Sequence, residues 1–204
     1  MALSHACRQL PDLTNRTVNL YGLILAAFAN VVKAATRDGE ADAHLNGSQK
    51  VGNQMADSAQ DMARSVAEKM IGNCGFSRGL GMRIADAGPD FAVIEMELTA
   101  LHMNGHAICH GGAIFAMADT AFAHACNSDN VVTVAQQCQV NFLKSARLGD
   151  TLRATAALRG LSGRTGLYDV AITDQHEVLI AEFRGMSRKL SGPVVPPDGG
   201  GPAD

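Results

Sequence analysis

The 204-residue chain has no tryptophan, seven phenylalanines and two tyrosines. So few aromatic rings exclude a surface built for stacking nucleic-acid bases. An excess of either charge is also missing: 17 Lys and Arg against 20 Asp and Glu leave a formal charge of -3. That is too little to mark a nucleic-acid or membrane-surface partner. The five cysteines, Cys7, Cys74, Cys109, Cys126 and Cys138, include no CxxC pair. Neither a zinc knuckle nor a dithiol redox motif is present. Their odd number and irregular spacing fit free thiols in a reducing, cytoplasmic compartment. No apolar run reaches the ~20 residues of a membrane span. The nearest, VNLYGLILAAFANVV at 18–32, follows Arg8 and Arg16 as a signal peptide would. Charge resumes directly in VVKAATRDGE without a clear cleavage site, so an extra N-terminal segment, helical in character, is expected instead. There is no internal repeat. The last absence is local: between Arg83 and Lys144 the chain carries neither Lys nor Arg.

What is present describes one domain with tails. Apolar content of 47% is ordinary for a globular protein. Residues 36–53 are polar and glycine-containing and read as a linker. The triplets Asn15-Arg16-Thr17 and Asn46-Gly47-Ser48 match the glycosylation pattern, but such triplets are common by chance and the cysteine usage argues against secretion. In residues 54–70, Met55, Met62, Val66 and Met70 recur at helical spacing, and Asn73 and Gly75 stop the helix. Residues 92–98 alternate Ala92, Ile94, Met96 and Leu98 with Val93, Glu95 and Glu97, the period of a strand. Residues 131–143, 151–159, 167–173 and 177–187 read as further strands. Gly149-Asp150, Ser162-Gly163 and Asp174-Gln175 are the turns. Most spacings suit hairpins, so the sheet is expected to be largely antiparallel. The tail after Gly192 holds four of the six prolines and is expected to be disordered. The domain is thus set at 54–192, with 1–53 as extension and linker and 193–204 as tail.

Residues 111–126, GGAIFAMADTAFAHAC, are alanine-rich and apolar on every side, which describes a helix buried all round. A sheet wrapped around one buried helix gives an α+β fold. Inside that helix stands Asp119. Its i±3 and i±4 neighbours are Phe115, Ala116, Phe122 and Ala123, and none can pair with it. A buried charge without a partner costs several kcal/mol or shifts its pKa upward. Three readings follow: distant hydrogen bonds satisfy it, it faces an interface, or it is catalytic. Gly111 and Gly112 open the helix, where free N–H groups and the dipole favour developing negative charge and glycine lets a ligand approach. A carbonyl oxygen gaining charge suits that place. A plain tight turn would use the same two glycines.

Taken together, Asn104, His110-Gly111-Gly112, Phe115, Ala118-Asp119-Thr120-Ala121-Phe122-Ala123 and Ala125-Cys126-Asn127-Ser128 resemble the hotdog-fold acyl-CoA thioesterases, most nearly their phenylacetic-acid-degradation branch. The likeness runs from about Asp57 to Gly192. It includes GDTLRATA at 149–156, the Tyr168-Asp169 strand and FRGMSRKL at 183–190. The resemblance implies a sheet wrapped around a long helix, continued across a homodimer, with tetramers common. It implies hydrolysis of aromatic, phenylacetyl- or hydroxyphenylacetyl-type acyl-CoA esters, with no cofactor and no metal. It makes the Gly111 N–H the oxyanion donor and Asp119 of the partner subunit the general base or nucleophile. Asn104 orients substrate or water and His110 supports the oxyanion site. Gly112, Thr120 and Gln136 fall on the substrate side. Gln136 lies where some relatives carry a serine or threonine. Lys144 and Arg164 are picked from the cations after the gap to meet the coenzyme A phosphates.

Three rival readings come from the residues alone. His102, His106 and His110, spaced by four beside Cys109, would form a metal site if they shared a helix face, although Asn104-Gly105 favours a turn. Cys109 beside His110 offers a thiolate nucleophile, although sequence neighbours point apart. A non-catalytic acyl-binding module is the third. Hydration of enoyl-CoA, a related chemistry, ranks below hydrolysis.

Overall fold

The computed structural model describes residues 47–196. The apolar run 18–32, both glycosylation asparagines and the tail beyond 196 lie outside the described residues. Packing separates Met1–Val51 from Gly52–Asp204, and the second unit holds the sheet and the core.

Helix α1 runs Gly47–Asn73. It takes in the end of the stretch expected as linker, since nothing from Gly47 to Asn53 forbids a helix: no proline occurs there and one internal Gly52 costs only ~1 kcal/mol. Its buried face is Ala63, Val66 and Ala67, whereas Met55 is 67% exposed and Met62 40%. The expected methionine stripe is therefore mostly solvent-facing. Cys74 caps a short second helix, α2 (Gly75–Gly79), by accepting the Ser77 N–H at its sulfur.

Six strands follow: β1 (Arg83–Gly88), β2 (Phe91–Glu97), β3 (Val131–Phe142), β4 (Thr151–Ser162), β5 (Thr165–Thr173) and β6 (Leu179–Pro193). All five expected strands form, and every pairing is antiparallel, in the order β1-β2-β4-β5-β6-β3. β1 escaped the sequence reading because RIADAG contains one bulky β-former, Ile84, and gains its place by pairing with β2. The turns are built as expected. Gly163 takes φ 57°, and Asp174 Oδ1 accepts the N–H groups of His176 and Val178.

Helix α3 (Gly111–Cys126) packs against the sheet and touches all six strands. Alternate strand residues supply the floor: Ala92, Ile94 and Met96 on β2, Leu152, Ala154 and Ala156 on β4, Val170 and Ile172 on β5. Small residues let helix and sheet approach. At Gly185 a side chain would stand 2.9 Å from the Phe122 ring, so only glycine fits under it.

The helix is not buried all round. Gly112, Phe115, Ala116, Asp119, Thr120 and Ala123 form a less buried stripe at helical spacing, with Phe115 37% exposed. Periodicity could not reveal it, because the stripe is nearly as apolar as the core. The start of the tail is also ordered: Asn130 accepts the Val195 N–H at 2.7 Å and donates to the Val195 carbonyl at 3.0 Å.

Candidate active site

The loop before α3 folds back on itself. His110 N–H donates to His102 O at 2.7 Å, Asn104 N–H to Ile108 O at 2.9 Å, and Met103 bridges Cys109. Asn104 Oδ1 accepts the His106 N–H at 2.8 Å and the more distant Ile108 N–H. Its amide NH2 donates to no protein group among the described residues. The loop thus carries Asn104 close to the start of α3 in a fixed turn.

His110 is the N-cap. Its Nδ1 accepts the Gly112 N–H at 2.8 Å, and its carbonyl accepts the Ala113 N–H at 2.9 Å. The Gly111 N–H is left without a partner among the described residues. Of the two glycines, then, Gly111 presents the donor at the positive end of the helix, while Gly112 is committed to the cap. Phe142 leans over this point: a Cβ at Gly111 would stand 3.0 Å from its ring.

Asp119 sits two turns further on. Eight residues at 1.5 Å each separate it from Gly111 by about 12 Å along the axis. It is partly buried and belongs to no ion pair among the described residues. Its contact is from β3: Cys138 Sγ stands 3.9 Å from Oδ1. Loss of water pushes the Asp119 carboxyl up, and the Cys138 hydrogen bond opposes that shift.

The other candidates disperse. Thr120 donates its hydroxyl to Ala116 O at 2.8 Å and meets Ser77 Oγ at 3.2 Å, so its role within the chain is to seat α2 on α3. Gln136 is the extra residue of a bulge in β3, exposed, between Ala135 and Gln137. Lys144 is exposed and its ammonium has no partner among the described residues. Arg164 is exposed but spends Nε on Lys189 O at 2.8 Å and a second guanidinium nitrogen on Leu190 O. It fastens the β4–β5 turn to β6.

The histidines do not share a helix face. His102 is 3% exposed with both ring nitrogens used: Nδ1 accepts the Thr99 N–H at 2.9 Å and Nε2 donates to Leu80 O at 3.0 Å. It has no lone pair for a metal. Among the described residues no three His, Cys, Asp or Glu side chains group to hold one. Cys109 is buried in the core, where desolvation pushes its thiol up to about 11, the reverse of an activated nucleophile. A cleft lined by Ala59, Met62, Pro89, Asp90, Ser128 and Asp129 shares no residue with the Gly111–Asp119 constellation. Sequence reasoning missed Cys138 and Phe142. Alternation along β3 was the available signal, and the bulge at Gln136 inverts its phase.

Residues 106–181 match the family model described as "Thioesterase superfamily". The chain is 43% identical over 129 residues to acyl-coenzyme A thioesterase PaaI of Escherichia coli (strain K12), which spans 63% of this chain and 92% of that protein. The chain belongs to the thioesterase superfamily. The solved structure of the E. coli PaaI protein from the phenylacetic acid degradation operon superposes with a TM-score of 0.65 at 41% identity, over 66% of this chain and 98% of that one. A mutant of the phenylacetic acid degradation protein PaaI from Thermus thermophilus gives 0.55 at 32% identity, over 57% and 100%. The fold of this thioesterase is therefore the hotdog fold, and its chemistry is thioester hydrolysis. Membership argues against the non-catalytic module.

Proposed function

We propose that this thioesterase hydrolyses aryl-acetyl coenzyme A esters, phenylacetyl-CoA or its ring-hydroxylated forms, in a site that two copies of the chain complete together. The observation that carries the reading is the offset between Gly111 and Asp119. A carbonyl held by the Gly111 N–H at ~3 Å is out of reach of a carboxylate about 12 Å along the same helix. A second copy, pairing through its own helix stripe and the edge of β3, brings its Asp119 to that carbonyl. β3 supports this role: it is twelve residues long, stands at the sheet edge, and carries Val134 at 44% and Phe142 at 54% exposure.

In this site the Gly111 N–H polarises the thioester oxygen and stabilises the oxyanion. The partner subunit's Asp119 takes a proton from water, which adds to the carbonyl carbon. Collapse breaks the C–S bond and releases coenzyme A thiolate, which picks up a proton, and the free acid. Direct attack by the carboxylate, giving an anhydride that water opens, fits the same positions. Asn104 directs its amide NH2 at substrate or water, and His110 holds Gly112 so that Gly111 stays open. The ester is already activated, so neither metal nor cofactor is required. Lys144, exposed and without a partner among the described residues, is the cation for the coenzyme A phosphates. The aryl-acetyl preference comes from the likeness to the two PaaI proteins. A further pairing of dimers into a homotetramer, and a cytoplasmic location, complete the proposal. Among the described residues no helix is long and apolar enough to cross a membrane.

The test is thiol release from a panel of acyl-CoA esters, with the natural protein, Asp119→Ala and Gly111→Pro. Aryl-acetyl esters should be cleaved fastest and both variants should be folded and nearly dead. Refolding the two dead variants together should restore about a quarter of the activity, because half the dimers are mixed and each has one intact site. No recovery on mixing would overturn the shared site.

A further inference from the structure

We propose that Cys138 is a positioning residue for the thioesterase carboxylate: its thiol holds Asp119 Oδ1 and leaves Oδ2 as the reacting oxygen. The inference rests on the reading of Asp119 as the catalytic group.

Three observations meet here. First, the register of β3 aims Cys138 at the helix. It pairs with Gly185 of β6, whose neighbours on the same face, Phe183 and Ser187, are buried against the core. Without the bulge at Gln136, the phase set by Thr133 and Ala135 would turn Gln137 inward and Cys138 to solvent. The bulge therefore selects a thiol, not an amide, as the neighbour of Asp119. Second, the Sγ–Oδ1 distance of 3.9 Å is within reach of an S–H···O contact, and among the described residues it is the hydrogen bond that the Asp119 carboxylate has. Third, the thiol stays a donor. Burial and the charge of Asp119 both push Cys138 up, so it remains protonated where the carboxyl ionises.

Few other titratable groups compete for this role. On α3 itself Cys126 feels Asp119 as one of several influences, and its thiol is pushed up to about 12 mainly by burial. His124 is buried, held neutral by loss of water, and donates Nδ1–H to Thr120 O at 2.8 Å. From α2 the Ser77 hydroxyl is engaged by Thr120, the residue after Asp119. From β5, Tyr168 is raised by burial and by Asp90, Cys126 and Asp129. In the proposed dimer the start of the second helix adds the partner subunit's His110. Among the described residues no cation shares the carboxylate, so a weak neutral donor has an effect that an Arg nearby would swamp.

The experiment is the pH profile of kcat/KM for the natural enzyme, Cys138→Ala and Cys138→Ser. Loss of the donor should move the acid limb of Cys138→Ala upward by about half a unit, so that activity below the limb falls roughly threefold further than activity above it. Cys138→Ser should restore the natural limb or carry it lower, since a hydroxyl is the stronger donor. Thermal melting accompanies each variant to separate misfolding from titration. A Cys138→Ala profile that superimposes on the natural one, or falls equally at every pH while Ser does not rescue it, overturns the inference. An active Asp119→Ala enzyme would instead overturn the reading on which it rests.

Discussion

Two aspartates of this protein stand on opposite sides of the same sheet-and-helix sandwich and are held in opposite ways. Asp169, on the outer face of β5, is clasped by Arg184 through Nε at 2.6 Å and Nη2 at 2.9 Å, and by Arg159 at 3.0 Å. Asp119, on the inner helix, meets one thiol at 3.9 Å. The first is a carboxylate secured by charge, and the cluster Arg83–Glu95–Arg153 repeats the arrangement across β1, β2 and β4. The second lies in a stretch of sixty residues without a cation, and among the described residues no ion pair returns one to it. Where the chain needs a charge for solubility it supplies two arginines. At Asp119, the carboxylate of the proposed mechanism, no ion pair forms among the described residues, and loss of water raises its affinity for a proton.

The contrast can be broken most forcefully at Asp119. Asp119→Ala should lower kcat/KM by about three orders of magnitude or more, read by thiol release, without lowering the melting temperature. Gly111→Pro comes next. Gly111 is the first helical residue, where proline is favoured, and His110 already has the extended ψ of 131° that a following proline requires. The substitution removes the N–H and requires the exposed Phe142 ring, 3.0 Å from a Cβ at this position, to swing aside; it should cost ~10²–10³ in kcat with an unchanged circular dichroism spectrum. Asp169→Asn sharpens the comparison from the other side. It should leave kcat/KM alone and destabilise by about 1 kcal/mol in a urea melt, less at high salt.

The smallest effect expected concerns pH. Burial raises the folded carboxyl of Asp119 above its ordinary 3.8. The folded state then binds the proton more tightly than the unfolded one, so stability is gained as pH falls through the raised value and lost above it. Asp119→Asn should therefore melt roughly 2 °C higher at neutral pH, and the gain should vanish in acid. Under the proposed mechanism activity follows the opposite course, because it uses the ionised carboxylate. The natural enzyme should lose rate on an acid limb lying above the usual carboxylate range.

Much of this was legible in the sequence. Alternation marked five strands, the HGG run marked the start of α3, and the absence of Lys or Arg around Asp119 marked the unusual group. What escaped depended on partners far along the chain. β1 has too little apolar content to declare itself without β2. His102 looked like a metal ligand until Leu80, twenty-two residues earlier, used its ring. Arg164 looked free until β6 returned beside it. Cys138 was hidden by a single extra residue in β3, which no propensity encodes. The less buried stripe on α3 was invisible because its residues have nearly the composition of a core.

The two-turn interval between Gly111 and Asp119 also bears on how the enzyme behaves as a population of molecules. If each chain holds half of a site, specific activity is not a constant of the chain. It falls on dilution, with the rate tending toward second order in protein once pairs come apart, and an excess of substrate that bridges both halves delays the fall. A chain lacking Asp119, mixed into a natural population, silences one site of each pair it joins and leaves the other working.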